Sequence, residues 1–535
     1  MKSIKKFLAV ILSMTLMLTL GTAAFGAQKT LPSGKDTGSI NVTNLKPGDT
    51  VTAYQFVKAD YNEYGFTGYS AINNYVKDPV APTAQEVIDM ASNAATMTVA
   101  AEKKVATGDT EVTLNGLPVG YYLVMVTSGS ETVYSPMIAG IYYSKSATDN
   151  TLTNGAISAD SDFEIKAQKC WAKSSTPKLE KTIVTPSSKN SKGDDIAIGD
   201  KITFNLSATV PSYSKEYKKV TYKIYDIMSE GLDYVDGSMK CFIEKYENNR
   251  ENIKVTPKVN GGIIEITFDS KFILEHPGQK IQVEYQAKLN EKAGVNFDAN
   301  INKAYLEYSN NPASGSTAKT GEDKVYVYTF GIDSNLFGKS TEKWNGKTKE
   351  LIKVEEGEYQ WGETEKESGI FTTTTALEGA TFTLTNNKTK KSYTATSDKY
   401  GYLKFTGLDA GEYTLQETDA PDGFTLNDAK HTVVITAEYN QDGTLKSYTI
   451  KIDDKATSTY TATYDKGVIK TITSTKDSQG NISESAILKN SKMSFLPSTG
   501  GVGTTIFAIV GVVFVVVALG LHMILRGKSK LEQDR

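Results

Sequence analysis

The chain has 535 residues and a formal net charge of -3, which at roughly 150 residues per domain predicts about three domains rather than one core. Only Arg250, Arg526 and Arg535 are arginines, so no basic surplus exists and a nucleic-acid binder is disfavoured. The histidines are His276, His431 and His522, a poor supply for His-based acid/base or metal chemistry, and neither a metal nor a cofactor is expected.

In chain order, Met1-Lys2-Ser3-Ile4-Lys5-Lys6, an apolar stretch from Phe7 to Leu20 and small residues up to Ala27 read as a secretory signal peptide, 1–27. Beyond it, Thr, Val, Tyr and Gly dominate and no long helical period appears, so an all-β architecture of tandem β-sandwiches is predicted. One helix is expected over Thr83 to Ala101, where Pro82 precedes a partial apolar face of Val87, Ile88, Met90 and Ala91. Alternating runs such as Lys201-Ile202-Thr203-Phe204-Asn205-Leu206 and His431-Thr432-Val433-Val434-Ile435-Thr436 are predicted strands. Gly116-Leu117-Pro118-Val119-Gly120-Tyr121-Tyr122-Leu123-Val124 and Gly407-Leu408-Asp409-Ala410-Gly411-Glu412-Tyr413-Thr414-Leu415 look like copies, each a turn feeding a strand. Domains at 28–172, 173–327 and 328–495 follow. Two cysteines, Cys170 and Cys241, are too few for a disulfide framework; they could pair or stay free.

Near the end, an apolar run from Thr504 to Leu525 would measure about 33 Å as a helix, enough for a hydrocarbon core of roughly 30 Å. A basic tail at 526–535 with Arg526, Lys528 and Lys530 marks the cytoplasmic side and places the body of the chain outside the cell.

Just before this span stand Leu496, Pro497, Ser498, Thr499 and Gly500. Pentapeptide, span and basic tail together resemble the LPxTG cell-wall sorting signals of Gram-positive surface proteins, in which a sortase cysteine attacks the Thr–Gly bond. The resemblance implies that Thr499 becomes the carbonyl of a thioester and then of an amide, the helix being discarded. Upstream, Tyr413-Thr414-Leu415-Gln416-Glu417-Thr418-Asp419-Ala420-Pro421-Asp422-Gly423-Phe424 resembles the E-box of Gram-positive pilins and of the CnaB-type Ig-like fold, with Phe for its final Tyr.

In that family a lysine and an asparagine condense into an isopeptide bond beside a buried carboxyl group. Burial keeps the lysine neutral for attack and the carboxyl protonated so that it can polarise the amide. Carried over, the C-terminal domain would use Glu417 as acid, Asn490 as amide and Lys339 as nucleophile, the last because Tyr328-Thr329-Phe330-Gly331-Ile332-Asp333 resembles the family's approach to its first strand. Similarity of the middle domain to those of major pilins implies Lys181 as nucleophile, Asp226 as acid and Asn302 as amide. In the N-terminal domain Val126 aligns with Glu417, so no such bond is expected there, with Lys58 the lysine to check.

Pilin shafts also need an exposed lysine that resolves the thioester on the next subunit, within a WxxxVxVYPK-like motif. Cys170-Trp171-Ala172-Lys173 stands in its place and favours Lys173, with Lys178 and Lys169 as alternatives. The resemblance as a whole implies no enzyme, but the shaft subunit of a covalent surface pilus attached to peptidoglycan and supporting adhesion. The implied partners are pilin-class and housekeeping sortases, further copies of the chain joined head to tail, and minor pilins. A monomeric cell-wall-anchored adhesin or an ancillary pilin is the alternative.

Overall fold

Apolar and polar residues alternate through most of the chain because the chain is built of strands, each with one face turned to a core. The computed structural model describes residues 31–128, 131–145, 155–158, 161–184, 190–246, 249–332, 351–357, 361–365, 370–373, 375–454, 456–475, 487–493 and 502–531.

In the first region a sheet runs in the order Gly65–Ala71, Thr50–Asn62, Gly120–Thr127, Met137–Ser144, Glu164–Ala167. It faces a smaller sheet of Lys169–Trp171, Thr37–Thr43 and Glu111–Pro118. Ile40, Val42, Tyr122, Val124, Ile141 and Tyr143 are buried between them. The expected helix is present but shorter, Ala84–Ser92. Thr83 and Glu86 close a capping box at its start, and Asn93 ends it. The chain then makes a single 3-10 turn, and Val99–Lys104 pairs with Thr50–Asn62 as a strand: Ala100, Ala101, Glu102, Lys103 and Lys104 are all good helix formers, but sheet pairing outweighs that local preference.

The middle region is a two-sheet sandwich. One sheet contains Leu179–Ile183, Lys201–Thr209, Lys280–Leu289, Lys240–Tyr246 and Asn249–Ile253; the other contains Gly193–Asp195, Asp323–Tyr328, Asn300–Asn311, Tyr222–Met228, Ile263–Thr267 and Lys258–Asn260. A short helix not foreseen, Ser270–Glu275, is N-capped by Asp269.

The third region has an antiparallel sheet in the order Ser392–Thr396, Thr381–Asn386, Gly411–Asp419, Lys430–Tyr439, Leu445–Ile452, Ala456–Asp465, Val468–Ser474. Against it lie Phe330–Ile332 paired with Phe405–Leu408, and Ile352–Glu355 paired in parallel with Ile487–Asn490. The helix Val502–Leu531 contains one span, Ile506–Arg526, long and apolar enough to cross a membrane.

The two copied segments share a structural device. Gly116 and Gly407 both turn with positive φ, 70° and 75°, which glycine adopts without strain. Six residues later, Tyr122 and Tyr413 each donate a hydroxyl proton to the carbonyl four residues back, Pro118 at 2.5 Å and Asp409 at 2.7 Å. Each hydroxyl thereby fixes the corner that feeds its strand.

The middle and third regions meet closely. Ile198 N–H donates to Gly407 O at 3.0 Å, Ala410 N–H to Asp195 Oδ1 at 2.7 Å and Leu445 N–H to the Tyr328 hydroxyl at 2.9 Å. Gly193 lies so near Gly443 that a Cβ would fall 2.2 Å from its carbonyl oxygen.

Candidate isopeptide and anchoring sites

In the middle sandwich, alternation along Leu179–Ile183 turns Leu179, Lys181 and Ile183 inward and leaves Glu180 outside. Along Tyr222–Met228 it turns Asp226 inward with Ile224. Asn302 lies on Asn300–Asn311, whose register sets Met228 opposite Asn302 and Asp226 opposite Ala304. Lys181, Asp226 and Asn302 are each 0% exposed, so the expected trio is brought into one core, with the lysine on one sheet and its partners on the other. Lys181 Nζ donates to Asp226 Oδ2. It also donates at 3.0 Å to the Tyr285 hydroxyl, which accepts as well from Asn302 Nδ2 at 2.7 Å. Phe204 and Tyr285 rings stand 5.0 and 5.2 Å from Nζ and keep water away. Burial pushes the Lys181 pKa down, against the pull of Asp226, and pushes the Asp226 pKa up, against the pull of Lys181. Both shifts favour a neutral amine beside a neutral acid.

Sequence reading missed Tyr285. It sits in the alternating strand Lys280–Leu289, opposite Phe204, with the look of an ordinary core aromatic.

The third region holds a second trio. Glu417 and Asn490, both foreseen, are 2% exposed, and Asn490 Nδ2 donates to Glu417 Oε1 at 3.0 Å. The other Glu417 oxygen accepts from Asn427 N–H at 2.9 Å. The lysine that faces them is Lys353, 1% exposed, whose Nζ is 2.5 Å from Asn490 Oδ1 and 3.2 Å from Glu417 Oε1. Lys339 lies outside the described residues. Lys353 stands on the first of two parallel strands and Asn490 on the second, in a register that pairs Lys353 with Leu488 and Glu355 with Asn490. Burial lowers the Lys353 pKa, opposed by the charge of Glu417. Its signal was present in Leu351-Ile352-Lys353-Val354, a lysine among fully buried apolar residues.

In the first region Val126 is buried on Gly120–Thr127 where the third region has Glu417. Lys58 is 59% exposed and 3.6 Å from Asp60. Among the described residues of this region no lysine is buried. Cys170 and Cys241 are both buried and free; burial pushes each thiol pKa up to about 12. Cys170 belongs to the first core and Cys241 to the middle one, which keeps them apart. Lys169, Lys173 and Lys178 are all exposed, and Trp171 between them is 68% exposed. Leu496, Pro497, Ser498, Thr499 and Gly500 lie outside the described residues.

Three family models match: a T6 antigen Ig-like domain at 35–174, a SpaA prealbumin-like fold domain at 371–451 and an LPXTG cell wall anchor motif at 489–530. The chain is 26% identical over 549 aligned residues to the trypsin-resistant surface T6 protein of Streptococcus pyogenes serotype M6, an alignment covering 93% of this chain and 96% of that protein. It superposes with a TM-score of 0.58 and 21% identity on the T6 backbone pilin of serotype M6 Streptococcus pyogenes, covering 86% of this chain and all of that one. The major pilin SpaD of Corynebacterium diphtheriae gives a TM-score of 0.47 at 16% identity, covering 88% of this chain and all of that one. The chain thus opens with a T6 antigen Ig-like domain, carries a SpaA-type prealbumin-like domain and an LPXTG cell-wall anchor toward its end, and has the fold of a backbone pilin.

Proposed function

We propose that this protein is the structural shaft subunit of a covalently linked surface pilus, held on the cell wall through its sorting signal. The observation that carries the proposal is the pairing of a T6 antigen Ig-like domain with an LPXTG anchor on one chain. The related T6 backbone pilin is described as a modular three-domain structure, and a division of this chain into domains at 28–172, 173–327 and 328–495 would give it the same number.

Each buried trio is suited to form an isopeptide bond. In the third domain Lys353 Nζ would attack Asn490 Cγ while Glu417 holds the amide, and in the middle domain Lys181 would attack Asn302 beside Asp226. Each bond expels ammonia and closes a loop of more than a hundred residues, stabilising by roughly 5 kcal/mol on the loop-entropy scale used for disulfides. No enzyme is needed for these bonds, since burial itself prepares the nucleophile.

Polymerisation would join Thr499 of one subunit to an exposed lysine of the next, in a heterologous head-to-tail contact that grows a fibre. Lys173 is the first candidate and Lys178 and Lys169 the alternatives, all of them exposed. Pilin-class and housekeeping sortases, minor pilins and peptidoglycan are the partners this assembly requires. A denaturing gel of cell-wall extract tests it. Wild type should give a heat-stable high-mass ladder that one of Lys173→Ala, Lys178→Ala or Lys169→Ala abolishes; a single monomer band in wild type overturns the shaft and leaves a monomeric anchored adhesin.

A further inference from the structure

The two trios differ in how the amide nitrogen, the atom that must leave, is held. In the third domain it donates directly to the acid, Asn490 Nδ2 to Glu417 Oε1 at 3.0 Å. In the middle domain the acid is an aspartate, one methylene shorter, engaged with Lys181. The amide nitrogen of Asn302 instead meets the Tyr285 hydroxyl at 2.7 Å. That hydroxyl is also 3.0 Å from Lys181 Nζ, which itself donates to Asp226 Oδ2. A phenol offers one proton and accepts at two lone pairs, and here it accepts from both nitrogens, so its own proton is left for the Asp226 carboxyl group, whose Oδ1 is buried without a hydrogen-bond partner. It is therefore the group that touches nucleophile and leaving group together, beside the acid.

We propose that Tyr285 is a catalytic residue of the middle domain, the proton relay between Asp226 and the departing nitrogen of Asn302. This rests on the reading that Lys181 and Asn302 condense. Lys181 first passes one proton to Asp226 across their hydrogen bond. The amine lone pair then forms the new bond to Asn302 Cγ, and the carbonyl electron pair moves to Oδ1. As that pair returns, the Cγ–Nδ2 bond breaks, Nδ2 takes the Tyr285 proton, and Tyr285 takes the proton of Asp226. The new amide nitrogen gives its surplus proton back to Asp226. Ammonia leaves, and the site ends with a neutral amide and a protonated aspartate, every proton accounted for. Proton transfer by a positioned group contributes roughly 10²–10⁴-fold to a rate, and without the hydroxyl the amide anion would have to leave unassisted.

The test is Tyr285→Phe in the full chain, which keeps the ring packed 5.5 Å from Phe204 and removes only the hydroxyl. Cell-free translation is halted, samples are digested over time, and the cross-linked peptides are quantified by mass spectrometry. The Lys181–Asn302 peptide should form at least about a hundredfold more slowly than in wild type, while the Lys353–Asn490 peptide forms at its wild-type rate. Formation of the first peptide at the wild-type rate overturns the relay. Absence of that peptide in wild type overturns the underlying condensation as well. A second measurement separates chemistry from packing: in a Lys181→Met background, where no bond can form, Tyr285→Phe should leave the middle domain cooperatively folded at the temperature of the rate measurement, with only the modest fall in melting midpoint that an unpaired buried amide brings. Loss of the cooperative transition there assigns the slow bond formation to misfolding and overturns the proposal.

Discussion

Lys353 Nζ rests 2.5 Å from Asn490 Oδ1, two positions out of step on adjacent parallel strands, with Glu417 Oε1 at 3.2 Å from the same nitrogen. If these side chains condense, the purified chain weighs about 17 Da less than its sequence for each bond formed, the mass of ammonia lost when an amine displaces an amide nitrogen. Lys353→Ala and Asn490→Ala should each restore one such increment, and Lys339→Ala should restore none. Intact-mass measurement checks all three.

The junction between the middle and third domains gathers Asp194, Asp195 and Asp200 around Asp409, with Lys391 bonded to Asp200 at 3.1 Å and the Tyr439 hydroxyl donating to Asp195. Burial, then the hydrogen bond and charge of Asp195, push the Asp409 pKa from 3.8 up to about 8. A carboxyl raised in the folded state gives stability that is full below its unfolded pKa and is lost as pH rises through its folded value. Melting midpoints should therefore fall between about pH 4 and pH 8. Asp409→Asn should flatten that slope and raise the midpoint at the alkaline end.

Removing the corner hydroxyls, in Tyr122→Phe or Tyr413→Phe, leaves a carbonyl without its donor at a turn between strands. A cost of about 1–3 kcal/mol is expected for each. The matching variants should lose similar amounts because their geometry matches. Denaturant unfolding should be followed in a Lys181→Ala, Lys353→Ala background, where no internal bond masks the transition.

With pKa values pushed up to about 12 and nearly all of their surface buried, Cys170 and Cys241 should react only very slowly with iodoacetamide in the native protein. Both should react once the chain is unfolded, without any reductant. A protein that releases only one or no thiol under those conditions would contradict the free, separated cysteines.

Much of this was legible from residues alone. Alternation located the strands, and the repeated glycine-to-tyrosine segment announced two related corners. Glu417, Asn490, Lys181, Asp226 and Asn302 were carried over from the family resemblance, and all five are buried. Lys353 was passed over because the chosen signal was the approach to a strand, whereas burial depends on the apolar neighbours of the lysine itself, and Leu351, Ile352 and Val354 provide them. Tyr285 had no local signature, since its meaning comes from residues 17 and 104 positions away. The helix over Thr83 to Ala101 was drawn too long because strand pairing of Val99–Lys104 is a tertiary choice that local periodicity does not reveal.

The parallel pairing of Ile352–Glu355 with Ile487–Asn490 has a mechanical meaning. If Thr499 is joined to a neighbouring subunit, a load applied through it would enter the third region at the end of the second strand, while the middle region of the same chain would pull on the start of the first. Parallel partners pulled from opposite ends slide past each other in shear, so their hydrogen bonds resist together rather than opening one by one. A Lys353–Asn490 amide would lie across that sliding plane. The force would pass through one covalent bond, and the seven-stranded sheet beyond it would hang beside the load path without carrying it.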